Sequence, residues 1–206
     1  ITLMEDGVLI APAPYADPSA YYFPTFTRLQ SIEVLKGCSQ IKYGPYTIGG
    51  ALNLVSTSIP DHFKVAAQAS YGSFGNTQQK FSIGNSLKNI DYLFEANRLA
   101  SNGFKELDNG GTTGFDRKDI MGKVRFHLSK KTASTLTLKF LYTKELGNES
   151  YLGLTYNDYN DNPYRRYAAT QKDVLNLNHH HFFITHSFNP FKKISINTTV
   201  YKTYTF

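Results

Sequence analysis

Residues 120–128, IMGKVRFHL, alternate from one side chain to the next. Ile120, Gly122, Val124, Phe126 and Leu128 fall on one side, and Met121, Lys123, Arg125 and His127 on the other. Successive side chains of an extended strand leave opposite faces, so the pattern predicts a strand with one apolar and one wet face. STLTLKFLYTK repeats it, with Leu136, Leu138, Phe140 and Tyr142 opposed to Thr135, Thr137, Lys139 and Thr143. The same reading along the chain predicts about seven strands, at 64–73, 77–87, 90–100, 118–129, 134–145, 173–187 and 193–205. The expected fold class is therefore all-β.

Two architectures share this alternation. A soluble sandwich turns its wet face outward over a core of larger residues. A transmembrane barrel turns its apolar face to lipid. The connections separate them. After a short first link, GSFG, long and short alternate: LKN, then SNGFKELDNGGTTGFDR, then SKKTA, then the long stretch 146–172, then SFNPFKK. Short turns at one rim and long loops at the other favour an outer-membrane barrel. In that orientation Val124 and Phe126 face lipid, while Lys123, Arg125 and His127 face the interior. A helical membrane protein is excluded, because no apolar run approaches the ~20 residues a spanning helix needs.

The net charge is +6, but Lys and Arg are scattered with no basic helix or stripe, which argues against nucleic-acid binding. Cys38 stands alone, so neither an intrachain disulfide nor a cysteine metal site is available. No Gly-x-Ser-x-Gly or His-Glu-x-x-His motif occurs, and no enzyme activity is expected. The start, ITLMEDGV, carries no leader pattern and reads as mid-strand sequence, which predicts a piece of a longer chain.

The first sixty residues differ in texture, holding six of the eight prolines. Within them, SIEVLKGCSQIKYGPYTIGGALNLVST (31–57) places two strand-like runs, 31–35 and 51–55, around a stretch punctuated by Gly37, Gly44, Gly49, Gly50 and Pro45. That is strand, tight connection, strand. No Gly-Lys-Ser/Thr follows, so the glycines are not a phosphate loop.

This stretch resembles the end of the plug domain of TonB-dependent outer-membrane receptors. The resemblance is carried by Glu33, Val34, Lys36, Gly37, Tyr43, Gly44, Gly49, Gly50 and Asn53. MEDGV (4–8) looks like the family's Asp-Gly hairpin just upstream, and SYLGLTYNDYNDNPYRRYAAT (150–170) resembles an extracellular loop of the ferric citrate receptor branch. Cys38 departs from the family pattern, which has Pro or a small residue there. The resemblance implies that residues 1–60 are the C-terminal part of a plug and that 61–206 begin an incomplete 22-stranded barrel. It also implies a location in the outer membrane, in contact with its lipid, and import of a ferric chelate. The energy would come from a TonB complex acting through a segment upstream of residue 1. A passive porin-like or adhesin-type barrel is the alternative class, and cobalamin or a glycan the alternative cargo. No cofactor is expected.

Two segments offer ligand contacts. APAPYADPSAYYFP (11–24) packs four prolines and three tyrosines into fourteen residues. Proline lowers the ordering cost of a binding loop. Tyr15, Asp17, Tyr21 and Tyr22 are the candidates, placed by the resemblance at an outward-facing plug apex. Tyr22 and its neighbours could equally pack against the wall. The second segment is loop 146–172, with Arg165 and Arg166, whose guanidinium groups suit carboxylate, hydroxamate or catecholate oxygens. Asp158 and Asp161 are close enough in sequence to pair with these arginines instead. The run His179–His181 permits at most two rings on one face. It is read as strand residues near the barrel rim, with no metal.

Overall fold

The computed structural model describes residues 2–10, 22–37, 49–191 and 193–206. Among these residues the chain forms two main sheets. The smaller has four strands: β1 (Thr2–Glu5), β2 (Val8–Leu9), β3 (Leu29–Leu35) and β4 (Ala51–Ser56), in the order β2-β1-β4-β3. β1 and β2 form a hairpin across Asp6 and Gly7, both with positive φ, at 48° and 80°. That mirror-image turn matches strand twist and explains the Asp-Gly pair. β1 also runs parallel to β4, with Thr2 beside Ala51 and Glu5 beside Leu54. β3 and β4, the two apolar runs expected within residues 31–57, pair antiparallel. The connection between them, with Cys38, Tyr43 and Gly44, lies outside the described residues.

The larger sheet has seven antiparallel strands in sequence order: β5 (Lys64–Tyr71), β6 (Thr77–Ser86), β7 (Ile90–Ser101), β9 (Phe115–Ser129), β10 (Ser134–Gly147), β12 (Leu175–Phe191) and β13 (Ile194–Thr205). All seven expected strands are present. The largest difference is at β12, which runs four residues past its expected end, and beside the long loops β9 begins three residues early and β10 ends two residues late. There the ladder continues through charged pairs such as Glu145 opposite Arg117, which apolar periodicity does not reveal. The long connections contain structure that the sequence reading lacks. β8 (Glu106–Leu107) pairs in parallel with β11 (Arg165–Arg166), and helix α1 (Tyr156–Asp161) precedes β11. The sheet ends openly at β5 and β13.

The two faces of the large sheet differ as the alternation requires. On the open face stand Phe94, Ile120, Leu138, Phe182 and Ile184, all exposed. The small sheet covers the other face. One apolar cluster ties them together: Ile10, Tyr22, Leu54 and Ile59 from the first segment meet Leu93, Met121, Leu141 and Leu177, one from each of four neighbouring strands. Where the chain passes from the small sheet to β5, Pro60 lies over Gly84. A Cβ there would come within 2.7 Å of the proline ring and 2.8 Å of the Tyr92 carbonyl, so only glycine fits.

Candidate functional site

The seam between the sheets is mostly charged. β1 supplies Glu5, and the short 3-10 turn Phe26–Arg28 supplies Arg28; both side chains are fully buried. Arg28 clamps Glu5 with both terminal nitrogens, Nη2 at 2.8 Å, and Nη2 also donates to the Tyr22 hydroxyl at 2.6 Å. From β10, Lys139 donates to Glu5, to Asp6 at 2.7 Å and to Ser56 Oγ at 3.1 Å. From β9, Lys123 donates to the Thr57 carbonyl at 2.8 Å. Asp119 accepts from Thr25 and from Thr143, the latter at 2.6 Å. Arg117 reaches Glu145 at 2.9 Å and the Phe23 carbonyl. Lys80 reaches the Thr27 carbonyl at 2.5 Å and lies 3.2 Å from Glu95.

The signs balance. Glu5, Asp6, Glu95, Asp119 and Glu145 face Arg28, Lys80, Arg117, Lys123 and Lys139. A buried charge persists only when paired. Burial alone would raise the Glu5 pKa, but the charges of Arg28 and Lys139 outweigh it and hold Glu5 well below its ordinary range. Burial pushes the Tyr22 phenol upward, so it stays protonated. This arrangement docks one sheet on the other, and among the described residues its five negative and five positive groups cancel.

The sequence candidates distribute as follows. Tyr22 is buried against the wall, stacked on His179 with ring centroids 3.6 Å apart, and takes the packing role. Tyr15, Asp17 and Tyr21 lie outside the described residues. Of the plug-like motif, Asn53 has a clear task. Its Oδ1 accepts from the Gly7 amide at 2.8 Å and its Nδ2 donates to Glu33 at 2.8 Å, tying the hairpin turn to β3. Gly37 and Gly50 have positive φ, at 70° and 102°. Lys36 and Gly49 lie at the two ends of the β3–β4 connection. His179 and His181 share a face, as strand geometry dictates. Both are fully buried against the small sheet, because the wall's wet face is covered here. Among the described residues no group of His, Cys, Asp and Glu could hold a metal ion.

Arg165 and Arg166 sit where the two long loops join. Arg165 Nε donates to Asp108 at 2.8 Å and Nη1 to Asp158 at 2.7 Å. Asp158 is therefore a partner as expected, while the second is Asp108 from the other loop and not Asp161. The Arg165 hydrogen bond lowers the Asp108 pKa. Arg166 donates to Thr170 Oγ1 at 2.8 Å and to the carbonyls of Asn148, at 2.5 Å, and Thr170, at 2.7 Å. Lys105 reaches the Pro163 carbonyl at 2.9 Å, and Asn162 reaches Glu106 at 3.1 Å. Together these contacts make one cap of two loops. A cavity of about 360 Å³ lies between them, lined in part by Lys105, Asn148, Arg165 and Tyr167. The buried seam escaped the sequence reading because its partners are far apart, 134 residues for Lys139 and Glu5. Arg28 beside an apolar run was the one available hint.

No family model matches the chain. Solved structures do resemble it. The siderophore receptor PiuA from Acinetobacter baumannii matches with a TM-score of 0.71 at 15% identity, over 98% of this chain and 28% of that one. FpvA of P. aeruginosa, bound to a heterologous pyoverdine and iron, gives 0.71 at 14%, over 98% and 27%. The ferric-catecholate import receptor Fiu from E. coli K12 gives 0.70 at 14%, over 99% and 31%. These proteins are transport receptors, not enzymes. The chain spans under a third of their length, and the matches take in both sheets. At such identities the likeness is one of fold: the small sheet and the seven-stranded sheet together match part of these receptors.

Proposed function

We propose that this chain is part of a TonB-dependent outer-membrane receptor that imports a ferric chelate. Residues 1–60 form the end of the plug and 61–206 the first barrel strands, so the covered face of the large sheet is the lumen and the open face meets lipid. The observation that carries this reading is the small mixed sheet seated on the wet face of the wall through balanced buried charges. A passive pore has no use for such a seal. TonB would act through a segment upstream of residue 1. Ferric citrate is the first cargo to test, from the resemblance of loop 150–170.

Ligand contacts are assigned to Tyr15, Asp17 and Tyr21, with Arg165 at the cap, where its side chain keeps 37% exposure. Arg166 and Tyr22 are spent on internal bonds and serve as supports. The test is growth of an iron-starved host lacking its own iron receptors. It carries the full-length receptor, is fed ferric citrate, a ferric catecholate or a ferric hydroxamate, and has or lacks working TonB. Rescue by one chelate, only with TonB, is expected. Growth independent of TonB would identify a passive pore. Rescue by no chelate, alongside uptake of cobalamin or a glycan, would move the cargo.

A further inference from the structure

The open face of the large sheet carries a row of cations. Strand register sets Arg98 of β7 opposite Lys118 of β9, and Lys118 opposite Lys144 of β10. All three are exposed. Like charges directly opposite one another in a sheet repel. Asp116 offsets this in part, accepting from Arg98 Nε at 3.0 Å and Nη2 at 3.1 Å and lying 3.5 Å from Lys118 Nζ. The Lys144 side chain makes no ion pair or hydrogen bond with the described residues. Three positive charges therefore share one negative neighbour.

The position of the row gives it meaning. Toward the short turns the same face of β7, β9 and β10 is apolar, row after row: Ala96, Ile120 and Tyr142; Phe94, Gly122 and Phe140; Tyr92, Val124 and Leu138; Ile90, Phe126 and Leu136. From Arg98 to Ile90 the strand rises about 26 Å at ~3.3 Å per residue. Tilted by ~40° as in a barrel, it covers ~20 Å of the ~25 Å apolar band of an outer-membrane protein. The cations thus stand at the edge of the band, on the long-loop side.

We propose that Arg98, Lys118 and Lys144 bind the phosphate of an anionic membrane lipid whose acyl chains lie along these apolar rows. The proposal rests on the reading above, in which the open face meets lipid. Asp116 holds Arg98 through Nε and Nη2 and leaves Nη1 for a phosphate oxygen, while the two ammonium groups add movable charge. A free phosphate would gain only a screened surface attraction. A lipid adds contact with the apolar strip, so the site selects an amphiphile.

The test uses the full-length receptor in mild detergent and counts retained lipid by native mass spectrometry. The probes are phosphatidic acid, phosphatidylcholine and inorganic phosphate. Wild type should retain phosphatidic acid over phosphatidylcholine, and millimolar inorganic phosphate should not displace it. Arg98→Gln/Lys118→Gln/Lys144→Gln should lower that retention at least tenfold. Lys144→Gln alone, which breaks no internal bond, should lower it severalfold and covers the case of a misfolded triple variant. Lys130→Gln/Lys131→Gln, in the opposite turn, should change nothing. Equal retention by Lys144→Gln and wild type, equal loss in the turn variant, or displacement by inorganic phosphate would overturn the site. Bilayer insertion, scored by heat-modifiable migration, separates the two readings. A wild type that inserts but shows no preference for phosphatidic acid sinks this site alone. One that never inserts sinks both.

Discussion

Arg28→Met tests whether the buried charges hold the small sheet in place. Arg28 and Glu5 are both 0% exposed, and the substitution removes the clamp on Glu5 and the donor to Tyr22. Breaking a buried pair from one side costs about 3–5 kcal/mol. Lys139 still neutralises Glu5, which places the expected cost near the low end, about 3 kcal/mol. At 1.4 kcal/mol per decade that is roughly a hundredfold in an opening equilibrium. The readout is hydrogen exchange of β4 amides in the full-length receptor, since β4 is the middle of the small sheet. Protection there should fall about a hundredfold, by the same conversion, while β9 and β10 hold theirs. Either single variant already loses the Arg28–Glu5 bonds, so Arg28→Met with Glu5→Gln should cost less than the two singles together, by about 1–3 kcal/mol. Unchanged β4 protection, or strict additivity, would refute the reasoning.

Four further outcomes follow from the same geometry. Val124→Arg on the open face should destabilise the inserted receptor by roughly 2–4 kcal/mol near mid-membrane, and His127→Arg on the covered side by much less; a reversed order in denaturant titration would mean the strand phase is inverted. Asn53→Ala strips the Gly7 amide and Glu33 of their partner and should cost about 1–2 kcal/mol, visible first as faster exchange at Gly7. Arg165→Ala should release the two-loop cap and speed chymotrypsin cleavage near Phe104 and Tyr164, and Arg165→Lys should not rescue it, because one ammonium cannot bridge Asp108 and Asp158 as the fork does. The Glu5 pKa is lowered in the folded state, so its contribution is complete above the ordinary value of 4.5 and is lost as pH falls below it toward the folded value; the part of β4 protection that Glu5→Gln removes should be flat from pH 6 to 8 and drop only in acid.

The strands were legible because their pattern is local: Ile120 to Leu128 state both the strand and its faces within nine residues. The pairing of His179 with His181 was legible for the same reason. What covers them was not, because Tyr22 arrives from 157 residues away, and a polar alternating face looks alike whether water or another sheet lies against it. The short β8–β11 pair was hidden too. Two residues carry no period, and its bonds join different loops. Asn53 was visible as a motif letter, while its work as a bridge between Gly7 and Glu33 needed three dimensions. Of the candidate ligand set, Tyr22 and Arg166 drew attention for their chemistry, and that chemistry is directed inward.

The parallel pairing of β1 with β4 decides how the small sheet responds to force. β4 leaves at its C-terminal end toward β5 and the wall, so that end is the anchor. A pull on the chain before Thr2 acts at the N-terminal end of β1. In a parallel pair these are opposite ends, so the load runs along the strands and strains the bonds from Thr2–Gly50 to Asp6–Leu54 together. An antiparallel pair loaded from the same end would unzip one bond at a time. The strand order thus makes the sheet stiff against axial tension and easier to peel sideways, so the direction of a pull matters as much as its strength.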